Sequence, residues 1–388
     1  MKIALIRRRF SATGGAELYL QRLLGALAGA GHAAHLFAES WDQAPAGVTL
    51  HPVAAGGGRA GRARRFAEAI LEAVAAQSFD CVFSLERTLR QDVYRAGDGV
   101  HRVWLRRRRQ FAPWWRRPFI GLGAFHRGML KLEAQTFDPR RTGRIIVNSE
   151  MVRREILGHF PFPEDRIHLV RNGIDVARFQ SGRRAETRAR FGVRDDEFLL
   201  LFAGSGWERK GLRYVLDAVG LVEALVPPGK KFPVNDAAFR QQFPGLAQYG
   251  GLKLLVAGKG DPPRRAPAGA IFAGALPDME NAYAAADLLV FPPIYEPSAN
   301  VVIEALAAGL PVVTSACNGA SEMVREGLTG AVLPNPSDVD SLVKAVDHWA
   351  GRRQRVREDH ALLSLERNVA ETLAVLEQAA REKSCRQP

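Results

Sequence analysis

Cysteine and long apolar runs are scarce in this sequence. Three cysteines occur among 388 residues, at Cys81, Cys317 and Cys385. Their odd number and wide spacing fit neither a disulfide framework nor a metal-binding motif, so a reducing compartment is expected. No apolar run reaches the roughly 18 to 20 residues that span a bilayer. We therefore expect a cytoplasmic protein that is either soluble or peripheral to a membrane.

Acidic residues are fewer than basic ones. The chain has 54 Lys and Arg against 41 Asp and Glu, a formal charge of +13. Such a balance favours an anionic partner, which can be nucleic acid, a membrane surface or a phosphorylated substrate. A hydrophobic content of 47% excludes a disordered chain and allows sizeable cores. The length suits two domains.

Apolar runs alternate with helical patterns in both halves of the chain. The N-terminal half predicts a helix over 16–30 after a glycine turn, a helix capped by Ser149, and strands at 2–6, 34–37, 48–53, 80–84 and 144–148. The pattern restarts near Phe198, with a helix over 212–225 and strands at 198–203, 252–257, 270–273, 288–291 and 311–314. Repeated strand–helix units predict two doubly wound parallel sheets, with ligands at the carboxyl ends of the strands.

We place an N-terminal domain at 1–172, a C-terminal domain at 173–355, and a final helical segment at 356–388 that can pack back on the N-terminal domain. Two stretches interrupt the pattern. Residues 226–250 are rich in Pro, Gly and Gln and predict an irregular insertion. Residues 261–269 are too short and too rich in proline for a crossover helix.

Two glutamates mark the strongest candidate site. Glu296 lies in a loop after the 288–291 strand, and Glu304 lies one to two turns into the helix that begins near Ser298. Backbone N–H groups at the helix start, around Ala299 and Asn300, can hold a diphosphate. Glu296 can accept hydrogen bonds from sugar hydroxyls and Glu304 from a ribose. Alone, two such acids are more often ordinary surface residues, and it is the strand and helix around them that favour a site.

Two adjacent cations follow another strand. The segment Gly204-Ser205-Gly206-Trp207-Glu208-Arg209-Lys210-Gly211 comes directly after the 198–203 strand. Arg209 and Lys210 can neutralise the charge that grows on a departing diphosphate. In isolation they would be a solvated basic pair, and the glutamates nearby in the predicted sheet favour the functional interpretation.

These motifs resemble the retaining glycosyltransferases of family 4, which have the GT-B fold of two Rossmann-like domains facing across a cleft. The match covers nearly the whole chain: the glycine loop Gly14-Gly15-Ala16-Glu17, the interdomain segment Arg171-Asn172-Gly173-Ile174-Asp175, the Arg209–Lys210 pair, and Glu296 followed after seven residues by Glu304. The resemblance implies a hexosyltransferase with these donor contacts: Gly14, Gly15, Arg178, Gly204, Arg209, Lys210, Glu296, Ala299, Asn300, Val301 and Glu304.

Within the family, Gly204 to Gly211 and the segment 92–98 resemble the lipopolysaccharide core glucosyltransferases. This implies transfer of glucose from UDP-glucose to a heptose of a lipid-anchored, phosphorylated oligosaccharide at the cytoplasmic face of the inner membrane. Another nucleotide-sugar donor or lipid-linked acceptor is the alternative, and a non-catalytic nucleotide- or lipid-binding protein is a third possibility. Ala299 replaces a glycine usual in the family, and would be strained if that position needs a positive φ.

The resemblance also implies retention of the anomeric configuration without a cofactor or a metal ion. Asp338-Val339-Asp340 has the letters of a metal motif, but it lies at a predicted helix start, where acids are favoured by the helix dipole. Arg209, Lys210 and helix N–H groups would replace a metal, and Glu296 would contact the transferred sugar. Asp98 is the candidate catalytic group near the acceptor, His101 is the alternative, and Asp98 could instead cap the following helix.

Residues 99–132 contain no acid. Arginines alternate there with aromatic side chains, and the proposed membrane or acceptor contacts are Arg102, Trp104, Arg106, Arg107, Arg108, Arg109, Trp114, Trp115, Arg116 and Arg117. Such a mixture favours docking to an anionic membrane surface. A pocket for acceptor phosphates without lipid contact, a solvated face and nucleic-acid binding are the alternatives, and no nucleic-acid motif accompanies the charge.

Overall fold

The computed structural model describes residues 1–9, 15–41, 47–56, 58, 61–226, 236–352, 354–357 and 359–385, with the backbone alone for 15–18. The chain divides into two compact units, Met1–Gly173 with Leu365–Pro388, and Ile174–Ser364. Each unit is built on one parallel sheet with helices, the Rossmann-like architecture that the alternating pattern predicts.

The first unit has its strands at Lys2–Ile6 (β1), Ala33–Ala38 (β2), Val48–Pro52 (β3), Cys81–Ser84 (β4), Gln91–Arg95 (β5), Thr142–Val147 (β6) and Ile167–Leu169 (β7). Its helices up to β7 are Gly15–Gly29 (α1), Arg62–Ala75 (α2), His101–Phe111 (α3), Ala124–Thr136 (α4) and Glu150–His159 (α5). The sheet order is β3-β2-β1-β4-β5-β6-β7, so the winding reverses between β1 and β4. Ser149 caps α5 as predicted, accepting a hydrogen bond from the Val152 N–H at 3.3 Å.

The second unit has its strands at Glu197–Ala203 (β8), Gly251–Ala257 (β9), Ala270–Gly274 (β10), Leu288–Phe291 (β11), Val312–Ser315 (β12) and Gly330–Leu333 (β13). Its helices are Val176–Gln180 (α6), Arg184–Arg190 (α7), Trp207–Lys210 (α8), Leu212–Leu225 (α9), Ala237–Gln242 (α10), Met279–Ala285 (α11), Asn300–Ala307 (α12) and Val339–Arg352 (α13). The order β10-β9-β8-β11-β12-β13 reverses between β8 and β11, where doubly wound sheets bind ligands.

The final helix, Leu365–Ser384 (α14), belongs to the first unit. It packs against α1, β4 and β5. Its apolar face shares one core with residues of β1 and α1, and the members from α14 include Leu365, Val369, Leu376 and Ala380. This burial explains why an amphipathic pattern persists to the end of the described chain.

Strand β5 is absent from the sequence prediction because its residues are mostly polar. Gln91 and Arg95 are nevertheless buried in the sheet. The Gln91 amide donates to the Thr142 hydroxyl, and Arg95 donates to the Tyr19 hydroxyl at 3.1 Å. Buried polar groups are tolerated when each has a partner, so this strand forms without an apolar pattern.

The two irregular stretches have different outcomes. Part of the expected insertion, 227–235, lies outside the described residues. The rest is not wholly irregular, because Asp236 caps α10 and the buried side chain of Phe239 anchors it. Between β9 and β10 every residue is described and no helix forms, as the prolines predict.

Candidate active site

Two glycines at the carboxyl end of β8 let the chain fold back over the sheet edge. Gly204 has φ 129° and Gly211 has φ 80°, conformations that favour glycine. A Cβ at Gly204 would lie 2.4 Å from Lys210 Nζ, and one at Gly211 would lie 2.0 Å from the Pro292 carbonyl oxygen. The glycines therefore allow the single-turn helix α8 to bring Arg209 and Lys210 beside the end of β11.

The side chain of Lys210 lies at the position between β8 and β11 where the strand order of the sheet reverses. Its Nζ lies 5.8 Å from the centre of the Phe291 ring. Burial lowers the pKa of Lys210, and the nearby Glu296 carboxylate opposes that shift. A half-desolvated ammonium group at this position interacts strongly with any anion that enters.

Glu296 is held by backbone bonds on both sides. Its N–H donates to the Cys317 carbonyl at 2.9 Å, and its carbonyl accepts from the Gly319 N–H at 2.8 Å. The side chain is 14% exposed and forms an ion pair with Arg209, with Nη2 3.1 Å from Oε2. That oxygen is buried and accepts no hydrogen bond within the described part of the chain. The carboxylate is thus fixed in position and can still accept hydrogen bonds from a ligand.

Helix α12 begins two residues later than the sequence predicts. Asn300 is its first residue, and Ala299 before it has φ −75°. The condition for strain at Ala299 is therefore not met, because a negative φ suits alanine as well as glycine. The Asn318 side chain accepts the Ala299 N–H at 3.2 Å, and the first-turn N–H groups of α12, which include those of Asn300 and Val301, are directed out of the start of the helix.

Glu304 lies further along α12. Its Oε2 accepts a hydrogen bond from the Tyr283 hydroxyl at 2.6 Å. Burial raises the pKa of Glu304, and Tyr283, Arg178 and Lys210 oppose that rise in this order. Arg178 is positioned by its bonds to Glu280 and to the Pro277 carbonyl, both at 2.9 Å. The second unit thus gathers Tyr283, Arg178 and Lys210 around the Glu304 carboxylate.

In the first unit, Asp98 is exposed just beyond the carboxyl end of β5. It does not cap α3, since the Glu133 carboxylate accepts the N–H groups of His101 and Arg102 there. His101 Nε2 lies 3.1 Å from His126 Nδ1, and burial lowers the pKa of His101 to about 4. His101 is therefore neutral at physiological pH.

Glu86 adjoins Asp98 and was missed by sequence reasoning. It follows β4, as Arg7 and Arg8 follow β1. The carboxylate forms an ion pair with Arg7 at 3.4 Å and accepts the Arg8 N–H at 3.3 Å. Burial raises the pKa of Glu86, and the charge of Asp98 adds to that effect. A search for polar residues directly after predicted strands would have found these groups.

The basic segment 99–132 forms α3 and α4, which pack together, and the turn between them. Several arginines hold that turn: Arg109 donates to the Ile120 carbonyl at 2.6 Å, and Arg117 to the Ala112 carbonyl at 3.0 Å. The side chains of Trp114 and Phe119 are 79% and 73% exposed. Other large apolar side chains exposed between 114 and 125 are Trp115, Leu122 and Phe125.

Two family models together match most of the chain. Glycosyltransferase Family 4 matches residues 13–178, and Glycosyl transferases group 1 matches residues 197–351. Each of the two units thus matches a model of glycosyltransferase domains, as expected for the GT-B fold.

Curated relatives of these GT-B domains match over part of their length. An uncharacterised glycosyltransferase of Methanocaldococcus jannaschii is 28% identical over 53% of this chain and 50% of its own. D-inositol 3-phosphate glycosyltransferase 1 of Catenulispora acidiphila is 28% identical over 52% of this chain and 48% of its own. The chain thus spans about half the length of the curated relatives it matches.

Solved GT-B structures match the whole fold at low identity. WaaG, a glycosyltransferase involved in lipopolysaccharide biosynthesis, has TM-score 0.73 and 21% identity over 97% of this chain and 98% of its own. HepE of Anabaena, solved with UDP-glucose, has TM-score 0.62 and 16% identity over 99% of this chain and 100% of its own. These matches show the GT-B fold.

Not every predicted residue of the GT-B site can be placed. Gly14 lies outside the described residues, and Gly15 is the first residue of α1. Asn318 and Tyr283 were missed, although both contact the predicted residues. Asp338 accepts hydrogen bonds from the backbone and hydroxyl of Ser341 at the start of α13, the helix-start role that the sequence predicts. Among the described residues, no three His, Cys, Asp or Glu side chains form a potential metal site.

Proposed function

We propose that this GT-B protein is a retaining, metal-independent glycosyltransferase that moves glucose from UDP-glucose onto a heptose of the lipopolysaccharide inner core. One observation carries the proposal. Arg209, Lys210 and Glu296 meet at the sheet-reversal point of the second unit, beside the start of α12, with Glu304 deeper along the same helix. Cations, helix N–H groups and carboxylates are the groups that a nucleotide sugar needs.

The donor would bind with its diphosphate at the start of α12. The N–H groups of Asn300 and Val301 would donate to the phosphate oxygens. Arg209 would turn from Glu296 to the same oxygens, which frees the Glu296 carboxylate for the sugar hydroxyls. The free oxygen of Glu304 would accept from the ribose, since Tyr283 occupies only Oε2.

Bond cleavage would be assisted by charge. As the glycosidic bond breaks, negative charge grows on the departing diphosphate, and Lys210 and Arg209 would stabilise it without a metal ion. Retention would follow from attack on the face that the diphosphate leaves, with a phosphate oxygen accepting the acceptor's proton. Asp98 would contribute from the first unit by orienting the acceptor hydroxyl or the sugar.

The choice of UDP-glucose as donor and of a lipopolysaccharide core as acceptor is supported by the comparisons, and not by a residue contact in this structure. HepE is a GT-B protein solved with UDP-glucose, and WaaG acts in lipopolysaccharide biosynthesis. The curated match to a D-inositol 3-phosphate glycosyltransferase favours a second candidate, a family 4 transferase with another donor or acceptor. A non-catalytic nucleotide- or lipid-binding protein is the third candidate. Such a protein would not need a cation such as Lys210 to stabilise a leaving diphosphate.

The acceptor is proposed to lie in an anionic membrane at the cytoplasmic face. No helix in the described parts of the chain has the length and apolarity needed to cross a bilayer. Residues 99–132 instead present exposed indoles and arginines, a combination that binds at the interface. Binding of an acceptor phosphate without lipid, or of RNA, would leave Trp114 and Phe119 without a role.

The test is transfer to a defined acceptor. The purified chain is incubated in EDTA with UDP-glucose and a heptose-terminated lipopolysaccharide core. The mass of the product is then measured by mass spectrometry. We expect the mass of one hexose to be added, and no addition to D-inositol 3-phosphate. The opposite acceptor preference would establish the second candidate. Full transfer by Asp98→Ala alongside loss in Glu296→Ala would refute the role of Asp98.

A further inference from the structure

A cavity of about 350 Å³ opens on the first unit, at the edge of the sheet where its strands begin. It is lined by the start of β4, β5 and β6, by the last turn of α2, and by Lys383 near the end of α14. Arg7, Glu86 and Asp98 follow the ends of β1, β4 and β5, so they lie at the opposite edge. The cavity is therefore separate from every group used in the proposed reaction.

One wall of the cavity is apolar. Val74 comes from α2, Phe79 precedes β4, and Val82 belongs to it. Leu71 extends this wall and is 39% exposed. The volume of the cavity lies in the range of small-molecule sites, which are mostly apolar and have a few polar groups that fix the orientation of the ligand.

The other wall is cationic. Asp92 is the one acid among the described lining residues, and the cations are Arg90, Arg140, Arg141, Arg166 and Lys383. Lys383 donates to Asp92 at 2.8 Å, and Asp138 pairs with Arg140 at 2.9 Å and more distantly with Arg141 at 4.0 Å.

Arg90 has no such partner. It is exposed, and within the described part of the chain it forms no hydrogen bond or ion pair. Three helices, α2, α4 and α14, also end near this edge, and the negative ends of their dipoles favour some of the cationic side chains there. They do not account for an unpaired arginine beside an exposed leucine.

We propose that this cavity is a second ligand site, which binds a small anionic amphiphile: an apolar body carrying one phosphate or carboxylate group. The body would cover Leu71, Val74 and Phe79, and the anionic group would pair with Arg90 and Arg141. Free anions and membrane lipids both offer this chemistry. The site stands whether or not the proposed transferase activity does.

The test is calorimetric titration of the full chain with decyl phosphate below its micellar concentration. We expect saturable binding at one site, weakened at least fivefold by Arg90→Glu and by Leu71→Gln. Two matched variants should bind as the wild type does: Arg240→Glu places the same charge change at an exposed arginine of α10, and Leu225→Gln changes a leucine of equal exposure, 38%. Equal melting temperatures of all four variants exclude unfolding as the cause.

Three outcomes would overturn the proposal: no saturable binding, equal binding by inorganic phosphate, or weakening by Arg240→Glu alone. Hydrogen exchange supplies a second measurement, with protection by decyl phosphate expected at 71–77 and 139–143. Titration with dihexanoyl phosphatidic acid below its micellar concentration separates the two sources. Binding that Arg90→Glu weakens identifies a lipid ligand, and no binding of this lipid identifies a free anion.

Discussion

The hydrogen bond from Tyr283 to Glu304 controls the charge of a buried carboxylate. Burial raises the pKa of Glu304, and the donated bond opposes that rise. In Tyr283→Phe the pKa should rise further, so a larger share of Glu304 is protonated at neutral pH and cannot accept both ribose hydroxyls. We expect the KM for the donor to rise about fivefold near pH 7, the effect of about 1 kcal/mol, and to recover as the pH is raised.

Measuring the KM for the donor as a function of pH checks this prediction. We expect kcat to remain nearly unchanged. Tyr249→Phe is the matched control, because it removes a buried bond to the Ala350 carbonyl outside the candidate site. An equal rise in both variants would mean that the hydroxyl of Tyr283 acts only through stability.

Lys210 must be charged to stabilise a leaving diphosphate. Burial lowers its pKa, so it loses its proton at a lower pH than an ordinary lysine. Activity should therefore fall on the alkaline side as Lys210 deprotonates. Lys210→Ala should lower kcat by roughly 10²-fold and abolish that limb of the pH–rate profile. The exposed Lys344, changed to Ala, should leave the profile intact, and an unchanged limb in Lys210→Ala would contradict the assignment.

Some of these residues could be predicted because their position follows from a strand end. Arg209, Lys210 and Glu296 come shortly after apolar runs, and parallel strands bring such ends to one edge. Tyr283 and Asn318 could not, because their roles depend on which helix and loop pack together. The sequence could not give the φ of Ala299 either, because the φ of one residue is set by that packing.

Among the elements, α3 depends on a carboxylate from α4. Glu133 is fully buried, accepts the first N–H groups of α3, and lies 3.5 Å from Arg87. Glu133→Ala leaves these groups without an acceptor, and should lower the free energy of unfolding by about 3 kcal/mol. Urea unfolding checks this, with the exposed Glu366→Ala as control. A loss no larger than that of the control would show that water replaces the carboxylate.

The turn between α3 and α4 should bind membranes through its indoles. Trp114→Ser with Trp115→Ser should abolish flotation with vesicles that contain anionic lipid at physiological salt, because the attraction of the arginines alone is largely screened there. The melting temperature should not change, since both side chains are exposed. Serines at Leu328 and Leu362, exposed in the second unit, form the control. Failure of the wild type to bind anionic vesicles would refute membrane docking.

Strands with a continuous apolar run were predictable. β8 and β11 are buried along their whole length, so their runs are continuous. β7 is interrupted by His168 and β13 is buried only at its two ends, so neither was recognised from the sequence. Helix α10 was hidden in a polar context, where Asp236 and Phe239 are its main signals.

For the molecule as a whole, ligand binding should be visible as stability. A ligand that binds only the folded state at 100 times its Kd stabilises by about 2.7 kcal/mol. For units of this size, that predicts a rise of roughly 5 to 10 °C in the melting temperature of the second unit with UDP. Smaller shifts with ADP and GDP would support uridine recognition, and equal shifts would restrict recognition to the diphosphate.

The overall architecture was predictable because strand–helix alternation restarts midway through the sequence. The assignment of α14 to the first unit rests on contacts such as that of Leu376 with the core, which no local pattern encodes. The nucleotide base and the acceptor depend on loop geometry at a precision that spacing does not reach.

The central claim is that the groups gathered at the sheet reversal of the second unit cleave a nucleotide sugar. The most direct measurement is release of UDP from UDP-glucose by the purified chain in EDTA, without acceptor. The account predicts slow release by the wild type and by Lys344→Ala, and release roughly 10²-fold slower by Lys210→Ala and by Glu296→Ala. No release from any nucleotide sugar, or equal release by Lys210→Ala and Glu296→Ala, would contradict it.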